Sequence, residues 1–182
     1  RRLSGFPVPD SVQAEWVRDQ IINARGVALD IDLIEGALYC DQVNADSARA
    51  EARKLTGLSN PNSREQLLTW LQGEGVAIAD LRGETVADAL EHKDEISPEA
   101  YRVLLLRQEL SKTSTKKYET MVSALCADGR VRGLLQFYGA TRTGRWAGRL
   151  VQVQNLPRTY LHGGMLDLAR DITKARNPEG LK

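Results

Sequence analysis

Residues 139–158 read Gly-Ala-Thr-Arg-Thr-Gly-Arg-Trp-Ala-Gly-Arg-Leu-Val-Gln-Val-Gln-Asn-Leu-Pro-Arg, and the rest of the chain is organised around them. Arg142, Arg145, Arg149 and Arg158 are interleaved with glycines, small hydroxyl residues and carboxamides. The acid-free zone is wider still: from Gly129 to Leu166 there are six arginines and no Asp, Glu or Lys. With 24 acidic residues among 182, a window of that length would ordinarily hold roughly five, so the depletion predicts a basic surface that meets an anion. Arginine in place of lysine sharpens this, because its planar fork suits paired acceptors such as phosphate oxygens or base edges. Gln152, Gln154 and Asn155 add neutral groups that both donate and accept at base edges. The stretch reads as a nucleic-acid contact in a chain whose net charge is only +1.

Working outward, Asp128-Gly129 is a turn signal and Val131 to Tyr138 reads as a strand leading into the arginine stretch. Beyond Pro157, Leu161, Met165, Leu166, Leu168 and Ala169 predict a helix. Upstream, Ser97-Pro98-Glu99 is a strong helix start, with a cap and proline at the first position. Tyr101, Leu104, Leu105, Leu106 and Leu110, then Tyr118, Met121, Val122 and Leu125, predict one helix from there to Cys126. Between these groups Ser111-Lys112-Thr113-Ser114-Thr115-Lys116-Lys117 has no large apolar residue. On a helix, Lys112 and Lys116 would stand one turn apart, either as a solvated face or as cations facing one run of phosphates.

The first half of the chain is predicted mainly helical. Arg1 to Pro9 reads as an extended linker. Asp10 is placed as an N-cap with Gln13 three residues on, and Gly26 closes the helix that follows. Gly26 to Asp30 is a short extended piece. Ile34, Leu38, Ala45, Ala48, Ala52 and Leu55 mark one face of a long helix ended by Gly57. Asn60-Pro61-Asn62-Ser63-Arg64-Glu65-Gln66-Leu67 is a turn and a capping box, Ser63 with Gln66, whose helix N-terminus also offers free amides to phosphate. Gly73 to Ile96 is rich in Gly, Asp and Glu and reads as a mobile connector, with a brief helix starting at Thr85. The fold class expected is mainly α with a small antiparallel β portion.

The composition, 42% hydrophobic and 27% charged, is that of a globular protein, and 5% aromatic content argues against an aromatic stacking platform. No apolar run approaches the ~18 residues needed to span a bilayer, so no membrane partner is expected. Cys40 and Cys126 lack CxxC partners and read as reduced thiols of a cytoplasmic protein. His92 and His162 lack metal-ligand spacing, and no cofactor or metal is expected within these residues.

Thr141-Arg142-Thr143-Gly144-Arg145, then Leu150, then Val153-Gln154-Asn155-Leu156-Pro157, resembles the first conserved motif of family A (polymerase I-like) DNA polymerases. That family reads Thr-x-Thr-Gly-Arg, a spacer, then Leu-Gln-Asn-Ile-Pro, and the spacer here is closer to the phage and prophage branch. Gly26-Val27-Ala28-Leu29-Asp30 and Asn60-Pro61-Asn62-Ser63 to Leu67 resemble further family steps, in the family's order. The resemblance covers roughly Glu15 to Arg158. It implies a linker over 1–10, a long-helix thumb over 11–128, the β-rich start of the palm over 129–160 and a helical or irregular end over 161–182. It implies DNA contacts from Arg142, Arg145, Arg149, Gln152, Gln154, Asn155, Lys112, Lys116, Ser63 and Arg64, with Arg145 reaching the minor groove near the primer terminus. In the family the region matching Gly73 to Ile96 carries a basic tip; here Arg82 and Lys93 are its only cations.

The resemblance places the chemistry further along the parent polymerase, where carboxylates hold two Mg2+ ions, so this piece alone is expected to be inactive and to have no catalytic residue. The partners implied are a primer-template duplex and the remaining palm and fingers. Strand edges left without palm neighbours would also allow a homodimer. The other reading of the same residues is a stand-alone helical module binding DNA without sequence preference, and a third is a helical protein-interaction domain.

Overall fold

A computed structural model of the chain describes residues 7–111, 115–156 and 159–181. It is mainly helical with two small antiparallel sheets, as the sequence predicts. The chain forms two compact units, one of residues 1–38 with 114–181, the other of residues 39–113.

In the unit of residues 39–113, helices α3 (Arg64–Gly73), α4 (Gly83–Glu91) and α5 (Pro98–Leu110) close over a core of Leu67, Leu71, Val76, Ile78, Leu81, Val86, Ala100, Val103 and Leu104. Both strong caps form where the sequence puts them. Ser63 Oγ accepts from Gln66 N at 3.4 Å, and Ser97 Oγ accepts from Ala100 N at 3.1 Å ahead of Pro98. Ala48 and Ala52, on the later turns of α2 (Ile31–Thr56), lie against Leu106, small residues admitting close helix contact. The expected mobile connector is instead part of this core. Val76, Ile78 and Leu81 are buried between α3 and α4, and Gly and acid content masked that apolar periodicity. Its helix begins at Gly83, and Thr85 does not cap it but donates to Asp80 at 2.8 Å.

The other unit is built from both flanks of the sequence. Strand β1 (Val27–Ala28) pairs antiparallel with β2 (Arg130–Val131), Val27 opposite Val131. Strand β3 (Leu135–Ala140) pairs with β4 (Arg145–Gly148) in a hairpin. Ile34, Met121, Val131, Leu134 and Val151 make the core. Helix α1 (Asp10–Arg25) turns a polar face inward: Asp19 is its buried residue, and Asn23 clamps Leu135, accepting from its N at 3.0 Å and donating to its O at 2.9 Å. Its apolar residues Trp16, Val17 and Ile21 stay exposed. Asp10 is the first helical residue rather than the cap, and Pro9 holds the cap position without a side-chain bond. Helix α7 (Gly164–Lys174) abuts α2 backbone to backbone, so a Cβ on Gly36 would collide with Thr173 O. Lys174–Asp30 at 2.7 Å and Arg176–Glu35 at 2.9 Å secure the same junction.

The helix expected from Ser97 to Cys126 is not continuous. It stops at Leu110 and resumes as α6 (Lys116–Ser123). Two physical reasons appear. The Ser/Thr/Lys segment has no apolar residue to anchor a continuing turn, and where the helix stops the Ser111 hydroxyl competes for the backbone, donating to Gln108 O at 2.8 Å. Both cysteines are free; burial pushes the Cys40 thiol up. Among the described residues no helix is long and apolar enough to cross a membrane.

Candidate nucleic-acid interface

The β3–β4 hairpin carries the arginine stretch. Its turn closes with Thr143 N and Gly144 N both donating to Ala140 O, at 3.0 and 2.9 Å. Gly144 has φ +66°, a conformation open to glycine at no steric cost, and Arg145 follows as the first residue of β4, opposite Ala140. Gly148 answers a different need. A Cβ there would collide with the carboxamide of Gln154, which lies flat on the backbone at that point.

The six arginines between Gly129 and Leu166 divide into two groups. Arg130 donates to Arg25 O at 2.7 Å and Gly26 O at 3.1 Å, and Arg132 donates to Ala24 O at 2.8 Å. These carbonyls end α1, where no intrahelical donor is left, so cations serve them well. Arg132 also grips both oxygens of Asp128, at 2.9 and 2.6 Å. That bond holds the Asp128 carboxyl down at about 2 and pushes the Arg132 guanidinium up. Arg142, Arg145 and Arg149 are different: each is exposed, and none has an ion pair among the described residues. Arg158 lies outside the described residues.

The carboxamides come next along the chain. Val153–Asn155 form one 3-10 turn, entered through Gln152 at φ +49°. Asn155 Nδ2 donates to Gln152 Oε1 at 2.9 Å, and Gln152 Nε2 and Asn155 Oδ1 have no bond among the described residues. Lys117 Nζ donates to Asn155 O at 2.6 Å and ties α6 to this turn. Lys116, exposed at the start of α6, is its chain neighbour. The structure thus brings Arg142, Arg145, Arg149, Gln152, Gln154, Asn155 and Lys116 into one unit. Lys112 lies outside the described residues. Ser63 and Arg64 belong to the unit of residues 39–113, at the N-terminus of α3. Ser63 Oγ serves there as cap, and the exposed Arg64 lends a lesser pull to the low Asp80 carboxyl, behind the Arg82 N–H and Thr85.

Two contributors escape the sequence reading. Lys117 is one residue away from the cation singled out, and only the 3-10 turn reveals its role. Tyr138 bends back over the hairpin turn with φ +54°, which nothing in a strand-like run of letters signals.

Comparison with known proteins adds the following. The chain is 49% identical over 181 residues to a DNA polymerase of Bacillus phage SP02. That match takes in this whole chain and 27% of the phage protein, so the chain spans about a quarter of its relative's length. No family model matches, and no solved structure does.

Proposed function

From that likeness we propose that the chain is the DNA-gripping part of a template-directed DNA polymerase of family A, covering its thumb and first palm strands. One observation carries the reading. Arg142, Arg145 and Arg149, exposed and without ion pairs among the described residues, follow one another along the β3–β4 hairpin, whereas Arg130 and Arg132 of the same stretch are held by carbonyls and an acid. An unpaired guanidinium is fully available to a phosphate oxygen or a base acceptor. Lys116, Gln152 Nε2 and Asn155 Oδ1 extend the same surface, and Ser63 and Arg64 supply contacts from the helical unit. The primer-template duplex is the partner, and the remaining palm and fingers are the neighbours. The edges of the two-stranded sheets are where further strands would pair, or where a second copy would.

Two-metal nucleotidyl transfer needs converging carboxylates. Among the described residues no group of three or more His, Cys, Asp or Glu that could hold a metal ion comes together. The reading assigns the magnesium ions and the chemistry to other segments of the polymerase.

Binding of a primer-template duplex to this chain, followed against salt, tests the reading. Neutralising about four phosphates predicts a slope of log K against log salt near −3.6, at roughly −0.9 per contact. The same chain should extend no primer with magnesium present. An isotherm indifferent to salt removes the phosphate-contact mode, and magnesium-dependent extension removes the assignment of chemistry elsewhere.

A further inference from the structure

Tyr138 sits where a tyrosine gains little for itself. Its backbone φ is +54°, a left-handed conformation that bulky residues seldom adopt. The residue is 56% exposed, so burial does not hold it there. Its hydroxyl has no hydrogen bond among the described residues. The hairpin accommodates it through a bulge: Gln136 to Ala140 spans four positions where the facing Ala147 to Arg145 spans two.

What this conformation achieves is a contact. The Tyr138 ring lies over Gly144 so closely that a Cβ at Gly144 would stand 2.8 Å from the ring's Cζ and 2.9 Å from its hydroxyl oxygen. The ring is itself braced. Phe137 meets it edge-on at 5.4 Å, and Phe137 also meets Trp146 edge-on at 6.3 Å. Trp146 and Gly144 flank Arg145 in sequence. The side chains of Phe137, Tyr138 and Trp146 therefore brace the backbone on both sides of an arginine whose own side chain has no hydrogen bond or ion pair among the described residues.

We infer that Tyr138 is a positioning residue for Arg145, its ring holding the Gly144 turn in the one conformation from which the arginine reaches its anionic ligand. The inference rests on the DNA-contact reading above. An exposed arginine loses much rotamer freedom when it binds, and a wandering backbone would add to that loss. The ring removes the backbone share beforehand. The hydroxyl adds only packing over Gly144, with no hydrogen bond among the described residues.

The test uses this 182-residue chain and a primer-template duplex at fixed salt. Arg145→Ala should bind about fivefold more weakly, the scale of one exposed charged hydrogen bond. Tyr138→Gly removes the ring yet suits the left-handed φ, so the chain should stay folded and bind roughly two- to fivefold more weakly. Tyr138→Asn, which also tolerates that φ, serves as a second ring deletion. Tyr138→Phe should bind as the parent does. The double variant Tyr138→Gly with Arg145→Ala should bind no more weakly than Arg145→Ala alone, because the ring acts only through the arginine. Multiplying losses in the double variant would overturn the inference. So would a loss in Tyr138→Phe equal to that in Tyr138→Gly, which would make the hydroxyl a direct contact. Unchanged binding in both ring deletions would overturn it too. If Arg145→Ala itself binds normally, the DNA-contact reading of Arg145 fails, and the inference fails with it.

Discussion

Arginines of one stretch do opposite work here, and the difference lies in what stands next to each side chain. Arg130 and Arg132 close the C-terminal end of α1, supplying donors to carbonyls that would otherwise be unmet. Arg142, Arg145 and Arg149 stand clear. A run of letters cannot separate the two groups, because the carbonyls that claim Arg130 and Arg132 lie more than a hundred residues away in sequence. The Asp128–Arg132 pair makes a prediction at this scale. The Asp128 carboxyl falls to about 2 in the folded chain from an ordinary 3.8, because Arg132 bonds its charged form. A depressed carboxylate contributes stability above its unfolded value and loses it as pH falls through the folded one. Parent and Asp128→Asn should therefore differ most in melting temperature above about pH 4, and converge as pH drops toward 2. A gap that stays constant over that range would show that Asp128 acts by something other than its charge.

At the scale of elements, most local signals are legible in the sequence, with Asp10 and Thr85 as exceptions, and long-range ones are not. The caps at Ser63 and Ser97 and the stops at Gly26 and Gly57 depend on neighbours within a turn, and the helices begin and end by them. The break after Leu110 was missed because apolar spacing resumes in phase at Tyr118, while the hydroxyl-rich run between has no anchor. The burial of Val76, Ile78 and Leu81 is not legible because across residues 73–96 acids and glycines outnumber the few apolar residues that reach the core. The inward polar face of α1 is a third case: Asn23 replaces apolar contact with two backbone bonds to Leu135. The arginine stretch was legible as a contact surface, whereas its bracing by Tyr138 and Lys117 depends on torsion and approach. Ser63 gives the element-scale prediction. Its cap bond is long, at 3.4 Å, so Ser63→Ala should lower unfolding free energy in urea by about 0.5 to 1 kcal/mol, the lower part of the range for lost caps. No measurable loss would mean that the hydroxyl does not cap α3.

Across the whole molecule, one unit is continuous, residues 39–113, while the other needs residues 1–38 and 114–181 together. That division sets an order of events as the chain leaves the ribosome. The core of the continuous unit, from Leu67 to Leu104, is complete once its own residues have emerged. Ile34 must wait for Met121, Val131 and Val151, and Asn23 for Leu135. Helix α1 and the start of α2 thus find their partners only after the unit of residues 39–113 has had the chance to fold. A chain ended at Asp128 should show slow amide exchange around Leu71 and Leu104 and fast exchange around Asn23 and Ile34; slow exchange at both would refute the order. During synthesis, then, the arginine hairpin has no finished unit to join until residues 114–181 have followed residues 1–38 out of the ribosome, so its basic surface is assembled only after the unit of residues 39–113 is complete.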